Sequence, residues 1–68
     1  MNVYISQPIE PYSGGCILIA ADTQYQAQQI VNSVIDTRYT EMTSPSLIPH
    51  LSYSFLVPQV VVEHIYVE

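Results

Sequence analysis

The 68-residue sequence has no lysine and no tryptophan, a single arginine (Arg38), a single cysteine (Cys16) and only two glycines. Each shortage excludes something. Affinity for nucleic acid rests on neutralising several phosphates with Lys and Arg, and one guanidinium does not supply that, so no direct nucleic-acid partner is expected. A lone cysteine closes no intrachain disulfide; inside C-I-L-I-A-A it reads as a small buried hydrophobe in a reducing compartment. No basic segment followed by an apolar one opens the chain, and no apolar run approaches the roughly 20 residues of a membrane span. The expectation is a cytoplasmic protein without a membrane partner.

What remains is weighted towards apolar side chains, 49% of residues against 10% charged, with six carboxylates and a net charge of −5. The acids stand singly, which fits solubility or attraction to a basic protein better than imitation of a phosphate backbone. A chain this short is expected to form one domain and to bury only about 60% of its unfolded surface. It has too little interior for that apolar content, so a buried subunit or partner interface is expected.

Asn2 to Gln7 alternates β-prone residues and reads as a strand ended by Pro8 and Pro11. P-I-E-P-Y-S-G-G reads as a loop, and Cys16 to Ala21 as a continuous apolar strand in a central position. Thr23 and Gln26 fit a capping box, with Gln26 reaching back to the Thr23 N–H. Ala27, Ile30, Val31, Val34 and Ile35 then mark one face of an amphipathic helix from about Thr23 to Arg38. Tyr39 to His50 has two prolines and no period, and reads as a long loop, with a helical turn at Ser44-Pro45 as an option. Leu51 to Val57 alternates as a half-buried strand, and Val60 to Val67 is a second β-prone segment. Between them Pro58-Gln59 is either a hairpin turn or a bulge in one bent edge strand. The order β-β-α-β, with a further β as the last option, is of the α+β class: an antiparallel or mixed sheet with one helix across one face.

No catalytic constellation stands out. Gly14-Gly15 precedes a strand and lacks the Gly-Lys-Ser/Thr of a phosphate loop, so it reads as a turn or bulge. Cys16, His50 and His64 show no metal-ligand spacing, and Glu63 and His64 point to opposite faces of a strand. Burial is expected to leave Cys16 inert as a nucleophile. No enzyme activity, cofactor or metal is expected.

Y-S-G-G-C-I-L-I-A-A-D-T-Q-Y-Q-A-Q-Q-I-V, about a third of the chain, resembles a pattern of small phage and prophage α+β proteins. In that pattern a glycine pair leads into an apolar strand ending in Ala-Ala, an Asp or Asn follows, and a helix begins with alanine near its start. Here glutamines stand where those sequences usually carry Glu and Lys. The resemblance implies a phage-type source, hence the cytoplasm of a host bacterium. By analogy with small phage proteins of this architecture it implies inhibition of host defence, as in anti-CRISPR proteins, by occupying a protein surface.

Six tyrosines beside so few charges also favour a binding surface, because tyrosine buries area with few rotors and keeps a polar tip. The leading reading is a small non-enzymatic interaction module, homo-oligomeric or docked on another protein. Its expected contacts are Tyr12, Tyr39, Met42, Leu47, His50, Val60, Val62, His64 and Tyr66. The alternative is an oligomeric binder of a small molecule or nucleotide, with a pocket lined by tyrosines, His50 and Arg38.

Overall fold

A computed structural model of the chain describes residues 1–9, 13–38, 41–54 and 57–67. Strands β1 (Asn2–Ser6) and β2 (Ser13–Ala21) are followed by helix α1 (Gln24–Arg38) and strands β3 (Ser46–Ser52) and β4 (Gln59–Val67). The strands form one antiparallel sheet in the spatial order β3-β1-β2-β4, and α1 packs across one of its faces, an α+β architecture.

The core follows from two periodicities meeting. Alternation along β2 sends Ile17, Ile19 and Ala21 to the helix side, with Tyr4 beside Ile19 on β1, and the helical repeat presents Ala27, Val31 and Val34 to them. Ile30 and Ile35 pack at the border of this cluster. Ile17, Ile19 and Val31 are fully buried, each contributing about 1.5–3 kcal/mol relative to exposure. At the start of α1, the Gln26 N–H donates to Thr23 Oγ1 (3.2 Å) and Gln26 Oε1 accepts from the Asp22 N–H (2.9 Å). The capping glutamine thus reaches one residue further back than the sequence suggests.

The glycine pair does not lie in a turn before the strand. Gly14 and Gly15 are inside β2, opposite Tyr66 and Ile65 of β4. Gly15 has φ 93°, and a Cβ there would collide with the main-chain carbonyl of His64; a Cβ on Gly14 would meet the Tyr66 ring. The pair is needed for close approach of β4, which spacing along a single strand does not reveal.

The expected loop from Tyr39 to His50 is corrected as well. Residues 41–43 run antiparallel to 7–9: the Ile9 N–H donates to Glu41 O (2.9 Å), the Thr43 N–H to Gln7 O (2.8 Å), and Pro8 bridges Met42. β3 continues this run along β1, and no helical turn forms at Ser44-Pro45. Proline is tolerated because this strand lies at the edge of the sheet. The alternating segment Leu51 to Val57 is not a strand throughout, since β3 ends at Ser52; residues 55 and 56 lie outside the described residues. Pro58 is neither a hairpin turn nor a bulge. β3 and β4 occupy opposite edges of the sheet, so it belongs to a connection between them.

Candidate functional site

The two edges of the sheet differ in kind. Along β3, Leu47 pairs with Tyr4 and Ser52 with Asn2, so residues 48–51 stand opposite Val3 alone. This wide bulge contains Pro49, which has no N–H, and His50, whose φ of 64° is left-handed. An incoming strand finds no regular ladder there, which is how natural sheets blunt an edge.

β4 lacks those devices. Its residues 62–67 pair without interruption with residues 18–13 of β2; the one irregularity is Val61, left over between the pairs Val60–Ile19 and Val62–Leu18. It contains no proline and no lysine, and Glu63 is its one formally charged residue. Among the described residues no strand pairs with its outer side. The N–H and C=O groups of alternate residues therefore point outward from a straight six-residue stretch.

Side chains on the face away from α1 complete the edge. Val62, His64 and Tyr66 stand opposite Leu18, Cys16 and Gly14, and Val62 and Tyr66 are 42% and 48% exposed. The Tyr66 ring leans back over Gly14, with the His64 ring tilted 57° to it at a centroid distance of 5.7 Å. The ring is thus drawn towards β2 and away from the edge. Cys16 is half-buried on this face rather than sealed in the core, because α1 covers the opposite one.

The structure sorts the expected contact residues. Val62, His64 and Tyr66 are brought together on β4. Leu47 and His50 are exposed but belong to the opposite edge. Met42 is corrected from surface to core: it is 7% exposed and packs with Tyr4 and the α1 residues. Val60 is half-buried: it pairs with Ile19 and packs against the border of that cluster, on the α1 side of the sheet. Tyr12 and Tyr39 lie outside the described residues. Tyr4 is buried, Tyr25 is 74% exposed on the helix, and Tyr66 is on β4. Tyr53 is half-buried just beyond the end of β3.

Comparison with protein-family models, curated proteins and solved structures found no match. Among the described residues no three of His, Cys, Asp and Glu gather where they would hold a metal ion, and no helix is long and apolar enough to cross a membrane. Sequence reasoning missed the pairing of Gly14 with Tyr66 and the left-handed His50. The one signal for the first was a glycine pair in a chain with a second strand carrying an aromatic, and only the register identifies which aromatic.

Proposed function

We propose that this chain is a small non-enzymatic protein-interaction module that engages its partner by strand addition at the outer edge of β4. In this mode the main chain supplies affinity, and side chains on alternate residues supply selectivity. The observation that carries the reading is the contrast between the edges: β3 is blunted by a wide bulge with Pro49 and His50, whereas residues 62–67 of β4 keep a regular register with β2, have no further strand beside them among the described residues, and include no Pro or Lys. An edge left in this condition is an aggregation hazard unless another chain covers it. Occupying a protein surface is also what the phage-type resemblance implies, so the biological role proposed is that of an inhibitor of host defence or an accessory factor in the cytoplasm of a host bacterium.

The test is capture from a bacterial lysate with three immobilised baits: the natural chain, Val62→Glu, and Tyr25→Ala as a control at an exposed tyrosine away from the edge. A discrete partner retained by the natural chain and by Tyr25→Ala, but lost from Val62→Glu, supports the reading. Capture that is indifferent to Val62→Glu refutes it.

A further inference from the structure

We draw no further inference here: the strongest candidate, the surface patch of Val62, His64 and Tyr66 on β4 with the half-buried Cys16 of β2 opposite His64, carries none, because nothing in the structure shows what covers it.

Discussion

Gly15→Ala is the substitution that most sharply tests the packing of β4 on β2. The change adds one methyl group, yet it meets two independent obstacles. Gly15 has φ 93°, where a residue with a Cβ is strained by about 1–3 kcal/mol. Its Cβ would also collide with the main-chain carbonyl of His64, which is held in the ladder and cannot swing aside as a side-chain end can; forced overpacking of this kind costs about 1–3 kcal/mol. The sum, about 2–6 kcal/mol, compares with a total stability of about 3–10 kcal/mol for a chain of this length. Thermal unfolding followed by circular dichroism should show a Tm at least about 8 °C lower, at about 4–8 °C per kcal/mol for a small domain. Gly14→Ala is the internal comparison. Its Cβ meets only the far end of the Tyr66 side chain, so the cost is about 0.5–1.5 kcal/mol for an off-rotamer ring. In a Tyr66→Ala background the same change should become neutral or favourable, since glycine inside a strand is about 0.5–1 kcal/mol worse than alanine. A Gly15→Ala protein within 0.5 kcal/mol of the natural chain would refute the placement of the glycines inside β2.

Ile19→Ala, at a fully buried position beneath α1, should cost about 2–5 kcal/mol by urea denaturation, with the larger value if the sheet and helix cannot close the cavity. Thr23→Ala should cost about 1 kcal/mol by removing the acceptor for the Gln26 N–H, and the fall should be recovered by Thr23→Ser or Thr23→Asp. Ser6→Ala removes the hydroxyl that donates to Thr43 O at 2.6 Å from a fully buried position; a loss of about 1–2 kcal/mol, with faster amide exchange in residues 41–43, would confirm that this segment is pinned along β1.

The parts of the fold legible in the sequence were those with one strong local period. The apolar set Ala27, Ile30, Val31, Val34 and Ile35 fixed the buried face of α1, and the continuous run from Cys16 to Ala21 marked an interior strand. What stayed hidden depended on pairing. Prolines at positions 45 and 49 made the segment up to His50 look like a loop, because proline disfavours a central strand and says nothing against an edge one. Pro58 looked like a choice between turn and bulge because neighbouring strands usually pair, whereas here β3 and β4 flank opposite sides of the β1–β2 pair. Of the contact residues, Val62, His64 and Tyr66 lie together because alternation within one strand places them on one face, whereas the irregularity at Val61 sets Val60 on the other. Met42 was misread as surface because its burial comes from a bridge to Pro8 that the sequence does not announce.

The central claim is that the β4 edge takes up a strand of another chain, and the most direct measurement on the purified protein is the molar mass in solution by multi-angle light scattering across a concentration series. With a second copy as that chain, the natural protein at tens to hundreds of micromolar should approach twice its 7.7 kDa mass and return to the single mass on dilution. Val62→Glu, folded by circular dichroism, should need severalfold more protein to reach the same dimer fraction, because it replaces an exposed apolar residue of the β4 edge with a charged one in each copy. A single-chain mass at every concentration would contradict a second copy as the partner, and a dimer that Val62→Glu leaves untouched would contradict the account.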